Sequence, residues 1–218
     1  MASKQSGYLA MATRFDELAD SELLALAAGG SEEAFAALYC RRRPSVYRFA
    51  LHMTGSDALA DDISQEVFLA LIGDMDHYDA AKGTLAAYLL GMARKLLLRH
   101  FERGRFFVPF AADDADGSRR TPEFLVDRRN PDGTLSHSET VSAVRHAVLS
   151  LPPRYREAVV LCDLEEMSYE EAAAAAGCAV GTIRSRLHRA RTLLAHKLRG
   201  PEAASQPAAL LKAKRCLA

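Results

Sequence analysis

Ser168 and Glu171, three residues apart, open the segment that most restricts what this chain can fold into. Their spacing is that of a capping box, in which each side chain satisfies a backbone amide left free at a helix start. The helix they begin, Tyr169 to Ala176, stops at Gly177, which adopts a left-handed backbone without steric penalty. A second helix is predicted from about Val180 to Leu198. Two helices around a glycine-containing turn make a helix–turn–helix. In the second helix Ile183, Leu187, Ala190, Leu194 and Leu198 recur every three or four residues and are expected to pack inward. Arg184, Ser185, His188 and Arg189 share the outward face, and arginine matches guanine edges and phosphates. Arg186, Arg191, Lys197 and Arg199 flank that face and suit backbone contacts. An exposed basic helix alone is ordinarily a solvated surface; the cap, the turn glycine and the terminal position together favour DNA reading.

The 28 basic and 28 acidic residues cancel, but they are sorted along the chain. Phe49 to Ala81 holds seven acidic residues and no Lys or Arg, whereas Arg184 to Arg199 holds six basic residues and no acid. One surface should therefore meet a basic partner and another a polyanion. Abundant Ala and Leu with sparse Val and Ile favour helices over sheets. The four cysteines, Cys40, Cys162, Cys178 and Cys216, are scattered and indicate neither a zinc site nor a disulfide framework. No stretch reaches the roughly 18 uninterrupted apolar residues of a membrane span, so a cytoplasmic protein without membrane insertion is expected.

The pattern divides the chain into a loose leader (1–19), a helical bundle (20–105), a linker (106–136), a helix–turn–helix domain (137–199) and a tail (200–218). In the bundle a first helix is predicted to begin at Ser21 as its cap and end at Gly29-Gly30. A second follows Ser31 and either kinks at Pro44 or restarts there, ending at Gly55. A third covers Asp57 to Ile72, with Ile63, Val67, Ala70 and Leu71 on one face and Asp62, Gln65, Glu66 and Leu69 beside it. A polar loop is expected from Gly73 to Gly83, then a partly basic helix from Thr84 to Glu102. The linker carries Pro109, Pro122, Pro131, Gly117, Gly133 and an Asp cluster. The fold class is all-α: an N-terminal helical bundle and a C-terminal helix–turn–helix domain joined by an irregular linker.

The segment LPPRYREAVVLCDLEEMSYEEAAAAAGCAVGTIRSRLHRARTLL resembles the fourth region of extracytoplasmic-function (ECF) sigma factors of the sigma-70 superfamily, and DDISQEVFLAL resembles their second region. The resemblance covers about residues 20–198. It implies a factor that binds core RNA polymerase and directs it to promoter DNA, with an anti-sigma factor as a further partner and no cofactor or metal. By similarity, Asp62, Gln65 and Glu66 fall where the family docks on polymerase. Tyr88, Arg94, Lys95 and Arg99 fall where it opens and captures the −10 element. Arg184, Ser185, Arg186, His188 and Arg189 fall where it reads the −35 element.

The chain departs from the family pattern at four places. Tyr88 stands for the usual Trp, Lys95 for Asn and Gly91 for Arg, and the run Ala172–Ala176 for a mixture with larger aliphatics. The alanines imply either closer helix packing or a marginal C-terminal domain. The rival readings are a sigma-like regulator that sequesters an anti-sigma factor without binding promoters, an ordinary helix–turn–helix regulator, and an enzyme. The last finds little support. Asp61 and Asp62 point about 100° apart on a helix, no nucleophile or phosphate-loop motif is present, and His52 and His77 read as surface histidines.

Overall fold

The computed structural model describes Phe15 and residues 17–103 and 137–199, all of whose regular elements are helical. The linker (106–136) and tail (200–218) expected from the sequence lie outside the described residues, as does the leader (1–19) but for Phe15 and residues 17–19.

Helix α1 (Asp20–Ala28) packs on α2 (Glu32–Thr54), and α3 (Asp57–Asp74) and α4 (Leu85–Arg103) complete the first half among the described residues. The cap of α1 is not Ser21, which lies inside the helix. Ala19 precedes it, and the Glu22 carboxylate accepts from the Ala19 N–H at 2.7 Å. Asp20, paired with Arg41 and Arg42, anchors α1 to α2. Helix α2 runs through Pro44 as one element, capped by Ser31 at its start and stopped by Gly55 at φ 74°. Helix α3 extends to Asp74, and the segment expected as a plain loop holds two 3₁₀ turns, Met75–His77 and Ala80–Lys82. Fully buried Leu38, Phe49, Leu71, Leu89 and Leu90 form the centre of this half. Phe68 takes Phe35 and Tyr39 edge-on. Ile63, Val67 and Leu71 line the inner face of α3 as expected, but Ala70 is exposed.

The second half comprises α5 (His137–Leu149), α6 (Pro153–Val159), a π-helical turn (Val160–Leu164), α7 (Tyr169–Ala176) and α8 (Val180–Arg199). The capping box forms as the spacing requires. The Glu171 amide donates to Ser168 Oγ at 3.2 Å, and the Ser168 amide donates to Glu171 Oε2 at 3.0 Å. Gly177 takes the left-handed conformation, φ 62°. Ile183, Leu187, Ala190 and Leu194 are buried against α5, α6 and α7, whereas Leu198, expected inside, is 39% exposed. It lies in the last turn of α8, where no described element covers it.

The two halves touch. Helix α7 packs on α4, and α5 and the π turn pack on α2. His52, read from sequence as a surface histidine, is buried on the α2 side, and its neighbours include Arg48 and, from α5, Arg145. His77 is exposed. The alanine run is explained by close packing. Ala172, Ala173, Ala175 and Ala176 are buried, and a Cβ placed on Gly91 of α4 would lie 3.5 Å from the Ala175 carbonyl oxygen and 3.7 Å from its Cα. The two departures, Gly91 and the alanines, therefore meet each other.

Candidate promoter and polymerase surfaces

Three surfaces carry the residues singled out by sequence. On α3, Asp62, Gln65 and Glu66 are exposed, one helical face apart from the buried Ile63–Val67–Leu71 stripe. Leu69, 69% exposed, and Ile72, 53% exposed, continue the same face. Ile72 escaped notice in the sequence because an apolar residue at the end of an amphipathic helix reads as core. An acidic row ending in exposed aliphatics can hold a partner by charge at one end and by apolar burial at the other. Asp61 points elsewhere and pairs with Arg43 at 2.7 Å.

The second surface is a cleft of about 430 Å³ between the 3₁₀ turns, α4 and the end of α7. Tyr88 is half-buried in it. Its hydroxyl donates to Asp74 Oδ2 at 2.8 Å, and its ring lies 5.6 Å from that of Tyr78. Burial first, and Asp74 second, push the Tyr88 hydroxyl up to about 12, so it remains a neutral donor with an aromatic face. Tyr78, which donates to the Gly83 carbonyl at 3.0 Å, doubles that face and was missed in the sequence. Lys95 and Arg99 are exposed at the cleft. Arg94 differs: its Nε donates to Glu157 Oε1 of α6 at 2.5 Å, so the structure turns it toward the second half. Ala174, Ala175 and Gly177 close the cleft from the helix–turn–helix side.

The third surface is the outer face of α8, where Arg184, Ser185, His188 and Arg189 are all exposed. Arg184 lies over the Tyr169 ring, 5.3 Å from its centroid. The Tyr155 hydroxyl is hydrogen-bonded by Arg189 and is held below its ordinary range chiefly by that contact. Two tyrosines thus steady two arginines of one helix. Ser185 Oγ donates to the Thr182 carbonyl at 2.9 Å. Arg186 is set apart from the others: it is half-buried, with Nη1 3.9 Å from Cys178 Sγ in the turn. Arg191 is held by Asp163 through two bonds, at 3.1 and 2.6 Å.

Among the described residues no group of three His, Cys, Asp or Glu side chains is placed to hold a metal ion. None of the described helices is long and apolar enough to cross a membrane.

Comparison with known proteins locates two conserved modules on this geometry. The family described as "Sigma-70 region 2" matches residues 38–106, and that described as "Sigma-70, region 4" matches residues 142–194. The ECF RNA polymerase sigma factor SigE of Mycolicibacterium smegmatis is 36% identical over 150 residues, covering 68% of this chain and 55% of that relative's length. The ECF RNA polymerase sigma factor SigC of Mycobacterium tuberculosis is 34% identical over 183 residues, covering 84% of this chain and 93% of the relative. Among solved structures, the sigma factor RpoE of Bartonella quintana, in complex with the anti-sigma factor NepR, superimposes with a TM-score of 0.54 at 25% identity, covering 74% of this chain and 94% of that one. With both modules present in order on one helical chain, the protein belongs to the ECF sigma factors of the sigma-70 family, the transcription initiation factors that direct RNA polymerase to promoters.

Proposed function

We propose that this chain works as a sigma factor through the three surfaces just described. Asp62, Gln65 and Glu66, extended by Leu69 and Ile72, dock on core polymerase. Tyr88, Lys95 and Arg99, joined by Arg94 once it leaves Glu157, hold the −10 element as single strand, where aromatic faces and cations are the fitting groups. Arg184, Ser185, His188 and Arg189 read the −35 element in the major groove, with Arg186 supporting the turn and contacting phosphate. Residues 20–105 and 137–199 act as the two domains, 106–136 as the linker between them, and 1–19 and 200–218 as leader and tail. The chain supplies no catalytic group of its own; polymerase performs the chemistry, in the cytoplasm. An anti-sigma factor is a fitting further partner, as the Bartonella relative has one.

The observation that carries this reading is the pairing of an exposed acidic face on α3 with an exposed arginine face on α8 in one neutral chain. Such a chain binds DNA weakly alone and relies on polymerase for the remaining contacts. The test is transcription from a library of promoter-length duplexes by core polymerase, with and without the chain. Selective initiation at shared upstream and downstream elements is expected. Core binding without initiation points to the Lys95 departure or a missing activator, and absence of both overturns the reading in favour of the rival that only sequesters an anti-sigma factor.

A further inference from the structure

The cleft beside α4 has the size of a small-molecule pocket and a charge that its own lining does not balance. Its volume of about 430 Å³ lies within the roughly 300–1,000 Å³ usual for such sites. Buried Ala87 and Leu96 and partly buried Met92 give it an apolar lining, and Tyr78 and Tyr88 add two aromatic rings 5.6 Å apart. Most of its charged groups answer one another. Lys82 pairs with Asp79 at 3.3 Å, His77 with Asp74 at 2.8 Å, and Arg94 with Glu157. Lys95 and Arg99 are the exceptions: both are exposed at the cleft, and neither forms an ion pair among the described residues. They stand four residues apart on α4, where like charges repel and weaken a helix. Two uncompensated cations beside a cavity fit a ligand with at least two negative charges. Tyr88, Met92, Lys95 and Arg99 follow at spacings of four, three and four, so they share one stripe of the helix. Along the axis Lys95 lies about 10 Å and Arg99 about 16 Å beyond Tyr88. Helical side chains lean toward the N-terminus, which carries both cations back toward the ring.

We propose, resting on the sigma reading, that this cleft is a site for a free nucleoside diphosphate, with the base against Tyr88 and the phosphates on Lys95 and Arg99, and that the nucleotide competes there with single-stranded DNA. An aromatic ring at one end of the stripe and two adjacent cations at the other match a base joined to a short polyphosphate. The same three side chains are those assigned to the −10 element, so one occupant excludes the other by direct overlap. The charges also set a preference. A DNA strand offers one phosphate for each base, whereas a diphosphate places two on a single base, within reach of both cations at once. Neither a nucleoside nor a monophosphate engages the pair as fully.

The full chain is titrated calorimetrically with ADP, AMP, adenosine and inorganic pyrophosphate, beside a Lys95→Ala, Arg99→Ala double variant and Tyr88→Leu, each first shown by circular dichroism to be folded. ADP should bind with a dissociation constant below about 1 mM, and roughly tenfold more tightly than AMP or adenosine. The double variant, whose two changes lie on exposed side chains, should lose roughly tenfold or more in ADP affinity. Tyr88→Leu should weaken ADP and leave pyrophosphate unchanged. ADP should also displace a labelled pool of single-stranded oligonucleotides from the wild-type chain. Absence of ADP binding, or ADP binding that the double variant retains in full, overturns the site. Pyrophosphate bound as tightly as ADP overturns the role of the base, and ADP bound without displacing the strand overturns the competition. If a chain that takes no ADP still initiates selectively with core polymerase, the sigma reading stands without this site. A chain that takes ADP but neither binds core nor initiates overturns the sigma reading and keeps the nucleotide site.

Discussion

Arg94 and Glu157, 63 residues apart, form an ion pair in which the carboxylate has no exposed surface and its second oxygen, Oε2, meets no hydrogen-bond donor among the described residues. Burial pushes the Glu157 carboxyl up, while Arg94, and more weakly Arg186, pull it down. Arg94→Met removes the main opposing pull. A carboxyl whose folded pKa is raised contributes stability that is full below its unfolded pKa and lost as pH rises through the folded one. The variant should therefore nearly match wild type at pH 5 and fall behind toward pH 8, by about 3 kcal/mol where the buried charge stands alone. Urea unfolding at the two pH values measures it, and an equal deficit at both would contradict the account.

His52 gives the opposite dependence. Burial, then Arg145 and Arg48, lower its imidazole from 6.5 to about 4. The unfolded chain takes up this proton below pH 6.5 and the folded chain does not. Stability from this group is thus full above pH 6.5 and lost as pH falls toward 4, by about 3 kcal/mol in all. Acid unfolding of His52→Met should be shallower than that of wild type over this window.

The contrast between these residues and the helix–turn–helix shows what a sequence carries. Ser168, Glu171 and Gly177 act within ten residues of one another, so their hydrogen bonds and backbone angle follow from spacing alone. The outward set on α8 and the acidic set on α3 follow from helical period in the same way. His52 and Arg94 do not, because their surroundings are supplied by α5 and α6, across a linker with no readable pattern. Gly91 and the alanine run each stood out as departures, but nothing in the chain order says that they face one another. Ala70 and Leu198 were misassigned for a simpler reason: an apolar stripe extends as far as the helix does, and its burial only as far as a neighbour covers it.

Gly55 should tolerate no side chain. Its φ of 74° disfavours one, and a Cβ there would stand 3.1 Å from Leu149 Cδ1. Gly55→Ala is expected to cost about 1–2 kcal/mol from backbone strain and crowding together, read as a lower urea midpoint. Gly30→Ala, also at positive φ but with nothing within 4 Å, should lose less.

The cap of α7 is measurable on its own. Ser168→Ala removes the acceptor for the Glu171 amide and should cost about 1 kcal/mol at neutral pH. Hydrogen bonds from the Ser168 backbone and side chain hold the Glu171 carboxyl below its ordinary range. Stability from a lowered carboxylate is present above its unfolded pKa and lost as pH falls through the folded one. The deficit of Ser168→Ala should therefore narrow in acid, which thermal melts at pH 7 and pH 4 would detect.

On α8, base reading and phosphate binding should separate by residue. Arg184, stacked on Tyr169, presents its guanidinium from a fixed position, and its loss should cost about 1–3 kcal/mol at one preferred upstream base pair and relax choice there. Lys197, exposed near the end of the helix, faces no such ring. Lys197→Ala should weaken all sequences alike and reduce the slope of log affinity against log salt by about 0.9. Holoenzyme binding to a randomised upstream library at several salt concentrations reads both. If Lys197→Ala changed the preferred sequence and Arg184→Ala changed only the salt slope, the assignment of the exposed α8 face to base reading would be wrong.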